Sequence, residues 1–234
     1  MAVVVVLGLA TVAGAAWAAV PAWLRVRYGV MEAISTLLLN FVAVALVSWM
    51  VTGPLQEARH AYPESDPVAL SVRLPLLFGS RLHIGIIIAV VLAVGLAVVF
   101  ARTRSGFALK AAGVGPKAAA LIGRVNVDRV TALALLGSGG FAGLAGGVEV
   151  AGVSYALFQN LSPGYGFTAI AVALLARLDP LGVVIAGVLF GALESGAAAM
   201  QRDAGVPSVA VYVVEAVVIV VVLVADRYAR RQGA

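Results

Sequence analysis

Four acids, Glu32, Glu149, Glu194 and Glu215, fall within or at the ends of long apolar runs. A carboxylate at the centre of a bilayer costs about 2.5–3.5 kcal/mol on insertion scales. Such a group therefore faces a cavity, meets a partner, sits near the headgroups or takes up a proton. For this set, lining a pathway and a structural role both stay open. Glu215 lies nearest the middle of its run; with Glu149, it is the acid that could couple ion or proton movement. None of the four is spaced as an acid–base pair. The two histidines, His60 and His83, are far apart and show no metal-ligand spacing. There is no cysteine, which excludes disulfides, thiolate metal sites and cysteine nucleophiles. Phosphate loops, dinucleotide fingerprints and His/Glu zinc patterns are missing too. These residues do not read as an enzyme's, and no metal or cofactor is expected on this chain.

The elements that carry these residues follow from composition. Of 234 residues, 62% are hydrophobic and 12% charged, with a mean hydropathy of +1.06. A water-facing helix needs a polar stripe that such a chain cannot supply. A bilayer core is crossed by about 20 apolar residues. The fold class is therefore all-α: a polytopic helical membrane protein forming one transmembrane domain over 1–234. About seven membrane elements are expected, at 2–23, 31–52, 82–101, 130–153, 164–176, 181–200 and 207–225. The fifth is too short for a comfortable crossing and reads as a short, tilted or re-entrant helix buried among neighbours.

Basic residues orient these spans. Arg102, Arg104, Lys110, Lys117, Arg124 and Arg129 crowd into 101–130 against a single acid, Asp128. With Arg25 and Arg27 inside, 53–81 lies outside, 102–129 inside, 154–163 outside, Arg177 inside, Arg202 outside and the tail of Arg227, Arg230 and Arg231 inside. The C-terminus is thus expected in the cytoplasm. The net charge of +5 sits at membrane flanks rather than on a phosphate-binding face, so no nucleic-acid partner is expected. Met1 falls outside and opens directly into a span, without a positive n-region. The expectation is a chain lacking an odd number of leading spans.

Small residues recur at four-residue spacing: Gly139, Gly143 and Gly147 in one span, Gly187 and Gly191 in another. That spacing lets helix backbones approach closely in lipid. It is consistent with packing inside one subunit or with a face for a moving or partner helix.

Three stretches carry a resemblance. "YGVMEAISTLLLNFVA" (28–43) resembles G-x-x-E-x-I-S-T-L-x-L-N of permease subunits in ATP-binding-cassette importers for simple sugars and nucleosides. Gly29, Glu32, Ile34, Ser35, Thr36, Leu37, Leu39 and Asn40 match; Met31 stands where a polar residue is commoner. The stretch 103–123 resembles that family's cytoplasmic loop, T-x-x-G-x-A-L-(K/R)-A-x-G-x-N-P-x-A-A-x-x-x-G. Thr103, Gly106, Ala108, Leu109, Lys110, Ala111, Gly113, Pro116, Ala118, Ala119 and Gly123 match, while Gly115 replaces the usual Asn. "GYGFTAIAVALLARLDPLGVVIAGVLFGAL" (164–193) is similar to a third family stretch, G-Y-G-F-x-x-I-A-V-A-L-L-x-R-x-x-P-x-G-V.

The resemblance implies a permease subunit that binds no ATP itself, with ATP and magnesium held by a partner ATP-binding subunit. It implies a second permease subunit, identical or homologous, an extracytoplasmic solute-binding protein and a small polar solute, in a lipid-embedded, multi-pass cell-membrane protein. The basic loop becomes a coupling helix docked on the ATPase through Gly106, Lys110, Gly113, Pro116, Lys117, Ala118, Ala119 and Gly123. Pro116 suits a first helical position, where its missing N–H costs nothing, and Gly123 suits a stop. A purely topogenic loop would explain the charges but not this spacing. Glu32, Ser35, Thr36, Asn40, Tyr165 and Phe167 are the expected solute-pathway residues: hydroxyls and an amide suit a sugar or ribose, and aromatics stack on rings. For Ser35, Thr36 and Asn40 the competing role is helix–helix hydrogen bonding, about 0.6 kcal/mol on average. The lean is toward nucleosides or simple sugars over branched-chain amino acids, since no basic residue sits mid-span to meet a carboxylate. An ion- or proton-coupled secondary transporter using Glu215 or Glu149 is the alternative.

Overall fold

The computed structural model describes residues 1–77, 82–121 and 125–204, together with Val213, Ala216, Val217, Val220 and Val221. Eight α-helices run in chain order through its continuous parts: α1 Ala2–Tyr28, α2 Glu32–Thr52, α3 Gly85–Arg102, α4 Arg104–Val114, α5 Pro116–Leu121, α6 Val127–Glu149, α7 Tyr165–Leu175 and α8 Pro180–Ala204. Five of them, α1, α2, α3, α6 with its π-helical extension, and α8, are long and apolar enough to cross a membrane. The fifth expected element, α7, has 11 residues. At 1.5 Å per residue it reaches about 16 Å, roughly half a hydrocarbon core, as its sequence predicted. The seventh expected span, 207–225, lies largely outside the described residues, as do Glu215, Gly123, Arg124 and the arginine tail.

The chain divides into two compact units, 1–88 with 99–161, and 89–98 with 162–234. In the first, α1 packs along α6. The contact is made by small residues on both helices. A Cβ on Gly14 would run into the Gly139 carbonyl and lie 2.7 Å from the Gly143 Cα; one on Gly147 would lie 2.9 Å from the Ala10 Cβ. Gly139 meets Ala18 and Gly143 meets Ala10, so the helices run antiparallel. The four-residue spacing of Gly139, Gly143 and Gly147 therefore packs inside this chain, against a matching series, Ala10, Gly14 and Ala18, on α1. Dispersion between closely approached backbones drives such association in lipid. Gly187 and Gly191 on α8, with the same spacing, would meet nothing within 4 Å among the described residues.

Where α6 ends, Val150–Ser154 forms a π turn, closed by Tyr155 in the left-handed region at φ 56°. The polar segment after α2 folds onto this turn. Val68 N–H donates to the Tyr155 carbonyl, Leu74 N–H to that of Ala151 and Ser65 N–H to that of Leu157, each at 2.8 Å. The Arg73 guanidinium lies 4.6 Å from the centre of the Tyr155 ring. Leu7, Leu74 and Ala151 form a small apolar core beneath. Segments 53–81 and 154–163, expected on one side of the membrane, are thus bonded to each other.

In the second unit, α7 and α8 pack through Ala171, Val172, Ala186 and Phe190. Between them Arg177 and Leu178 both take left-handed backbone, φ 53° and 60°. The Asp179 carboxylate then caps α8 by accepting from Gly182 N–H at 2.7 Å.

Candidate functional site

Two places gather the expected functional residues. The first is the basic connection between α3 and α6, which forms two helices rather than one. α3 stops at Arg102 because Thr103 turns extended and caps the next helix: its Oγ1 accepts from Gly106 N–H at 3.0 Å and donates back to the Val99 carbonyl at 2.7 Å. Gly106 is buried in that elbow. A Cβ there would collide with the Val99 carbonyl and lie 2.6 Å from the Phe100 Cα. The T-x-x-G spacing thus has a physical meaning: Thr103 closes α3 and starts α4, and Gly106 lets the new turn press on the old one. Lys110 folds back, with its ammonium 5.7 Å from the Phe100 ring centre.

Gly115 breaks the element, and Pro116 opens α5 as its sequence predicted, with Ala119 N–H donating to the Gly115 carbonyl at 2.8 Å. Ala119 is buried, while Gly113, Pro116, Lys117 and Ala118 are exposed. The same surface presents large apolar groups that sequence reasoning missed: Phe107 at 68% exposure, Val114 at 93% and Leu121 at 84%. Their seven-residue spacing was the available signal; the Gly115–Pro116 break hid it. These apolar groups stand in the same segment as Arg104, Lys110 and Lys117.

The second place is a cleft of about 410 Å³ among α1, α2 and α6, lined by Trp17, Pro21, Thr36, Asn40, Ser138 and Gly139 with apolar neighbours. Of the six expected pathway residues, Thr36 and Asn40 line it. Ser35 is buried on its own helix, its Oγ donating to the Glu32 carbonyl at 3.1 Å. Thr36 likewise donates to the Glu32 carbonyl, at 2.8 Å. These hydroxyls back-bond within α2 and do not join helices. Glu32 begins α2, where a carboxylate favours the helix dipole, and pairs with Arg25 Nε at 3.4 Å. Tyr165 and Phe167 belong to the other unit, in the first turn of α7. Glu149 closes α6 with His83 nearby, and Glu194 lies within α8. Among the described residues, no group of three or more His, Asp or Glu could hold a metal.

Residues 1–223 match the branched-chain amino acid transport system / permease component family. The chain belongs to it. It is also 36% identical over 232 residues to the glucose ABC transporter permease protein TsgB13 of Haloferax volcanii, an alignment covering 94% of this chain and 61% of that protein. It is 36% identical over 227 residues to the guanosine ABC transporter permease protein NupP of Bacillus subtilis, covering 95% and 64%. To the nucleoside ABC transporter permease protein NupB of Lactococcus lactis subsp. cremoris it is 34% identical over 228 residues, covering 92% and 61%. The chain thus spans about three fifths of the length of these curated relatives. No solved structure gives a significant match. Family membership and the five helices long and apolar enough to cross a membrane together make this chain a multi-pass membrane protein.

Proposed function

We propose that this permease is a transmembrane subunit of an ATP-binding-cassette importer that moves a small polar solute, a nucleoside or simple sugar, across the cell membrane. The observation that carries the reading is a family match over 1–223 combined with a paired-helix basic element at the position of the family's cytoplasmic loop. Relatives named for guanosine, nucleosides and glucose support the solute class.

In this reading α4 and α5 dock on a separate ATP-binding subunit, which holds ATP and magnesium. Phe107, Val114 and Leu121 supply apolar contact, and Lys110 and Lys117 steer toward an acidic groove. Gly106, Gly113, Pro116, Ala118 and Ala119 shape that element, and Gly123 follows it in sequence. A second permease subunit completes the pore, an extracytoplasmic binding protein delivers solute to the side of 53–81, and the C-terminus is cytoplasmic. Glu32, Ser35, Thr36, Asn40, Tyr165 and Phe167 are the proposed pathway residues. Co-expression with the neighbouring genes tests the reading. An ATP-binding subunit that co-purifies with the chain, and is lost when 106–121 is replaced by a Gly/Ser linker, supports it. A chain that purifies alone overturns it.

A further inference from the structure

The cleft among α1, α2 and α6 holds three polar groups at the same depth in otherwise apolar helices. Trp17 lies near the middle of α1, Asn40 near the middle of α2 and Ser138 near the middle of α6. All three line the cleft. Among the described residues, the Trp17 indole, the Asn40 amide and the Ser138 hydroxyl make no side-chain hydrogen bond. Tryptophan normally sits at the headgroup level, where its N–H is wet. Here it stands at mid-span. Pro21, on the same wall, has no N–H and leaves the Trp17 carbonyl without its usual helical donor.

Polar groups at membrane depth are costly unless a partner or pathway meets them. Packing does not meet these. The hydroxyl of Thr36 bonds its own helix, whereas Asn40 and Ser138 face the opening. Gly14, Gly139 and Gly143, where α1 and α6 approach closely, line the same cleft without side chains. Bare backbone, an indole, an amide and a hydroxyl complement a ring that carries several hydroxyl groups.

Resting on the reading of this chain as an importer permease, we infer that Trp17, Asn40 and Ser138 form a solute subsite for a hydroxyl-bearing ring. Asn40 and Ser138 bind ring hydroxyls, and Trp17 stacks on a sugar or base face. The sugar ring is common to nucleosides and simple sugars.

The test uses the complete transporter, with its ATP-binding subunit and binding protein, in proteoliposomes. Uptake of tritiated guanosine, glucose and leucine is measured. The expected result is uptake of guanosine or glucose, with KM raised about tenfold or more by Asn40→Leu and about fivefold by Ser138→Ala. Trp17→Leu raises KM and Trp17→Phe restores it. Leu38→Ala, on the exposed side of α2, leaves KM at the wild-type value. If Asn40→Leu does not assemble, Ser138→Ala and the Trp17 pair give the same reading. Preference between guanosine and glucose separates the two sources of the ring. A wild-type KM in every subsite variant overturns the subsite and leaves the permease reading standing. Uptake of leucine alone, or of no probe, overturns the assigned chemistry. A chain that joins no ATP-binding subunit removes both.

Discussion

Substituting Gly14 by alanine places one methyl group in the tightest part of the α1–α6 contact. The new Cβ would lie 2.7 Å from the Gly143 Cα and 2.8 Å from its nitrogen. Carbon atoms pack best at about 3.5–4.0 Å, so the helices must separate locally by about 1 Å. A gap of that size forfeits about a quarter to a half of the dispersion well at every pair it opens. Overpacking of this kind costs about 1–3 kcal/mol. Alanine also returns up to about 1 kcal/mol of helix propensity, so a single melting curve would mix two effects. Gly8→Ala, on the same helix, removes that ambiguity: a Cβ there meets nothing within 4 Å among the described residues. The difference between the two variants isolates the contact. For a chain of this size it corresponds to about 2–12 °C in melting temperature. Intrinsic fluorescence of Trp17, Trp23 and Trp49 in detergent micelles reports the transition. Equal melting of Gly14→Ala and Gly8→Ala would refute the packing argument.

The elbow and the covering segment yield further expectations. Thr103→Val removes the cap of α4 and costs about 1 kcal/mol, whereas Thr103→Ser retains it; in the assembled transporter, valine lowers the ratio of uptake to ATP hydrolysis and serine keeps it. Pro116→Leu combined with Gly113→Val leaves membrane insertion intact and uncouples hydrolysis from solute binding, so normal transport by that double variant contradicts the role of α5. Arg73→Gln loses the contact with Tyr155, worth about 0.5–1 kcal/mol. It should speed protease cleavage within 53–77 relative to wild type; unchanged cleavage rates would mean that the backbone bonds to 151–157 hold the segment alone.

The five long spans of the described residues were legible in sequence because their lengths answer directly to bilayer thickness. The short α7 was legible for the same reason, bounded by Gly164 and by Arg177 and Asp179. Pro116 announced α5 through its fixed backbone angle. The partner of Gly139, Gly143 and Gly147 was not legible, because Ala10 and Ala18 are unremarkable in so apolar a chain. Spacing does not decide the matter, since Gly187 and Gly191 share it without a neighbour within 4 Å among the described residues. The stitching of 65–74 to 151–157 leaves no pattern either. It is made chiefly by backbone groups far apart in sequence, which most side chains permit. At the cleft, Thr36 and Asn40 were visible as polar residues within a motif. Trp17 and Ser138 were visible only as isolated residues, and nothing in their spacing shows that they line one cleft with Asn40.

The elbow at Thr103 and Gly106 has a mechanical consequence. With its first turn capped and pressed onto the last turn of α3, α4 has no soft joint at its base; compliance is concentrated at the far end, where exposed Gly113 and half-buried Gly115 precede Pro116. Eleven residues of helix make an arm about 16 Å long. Rocking α3 by about 15° would carry the tip of that arm about 4 Å, roughly three residues' rise. Small tilts in the membrane and sizeable travel at the surface are therefore two readings of one motion, geared by the length of α4, and α5 can swivel at the tip to keep its face on whatever it touches.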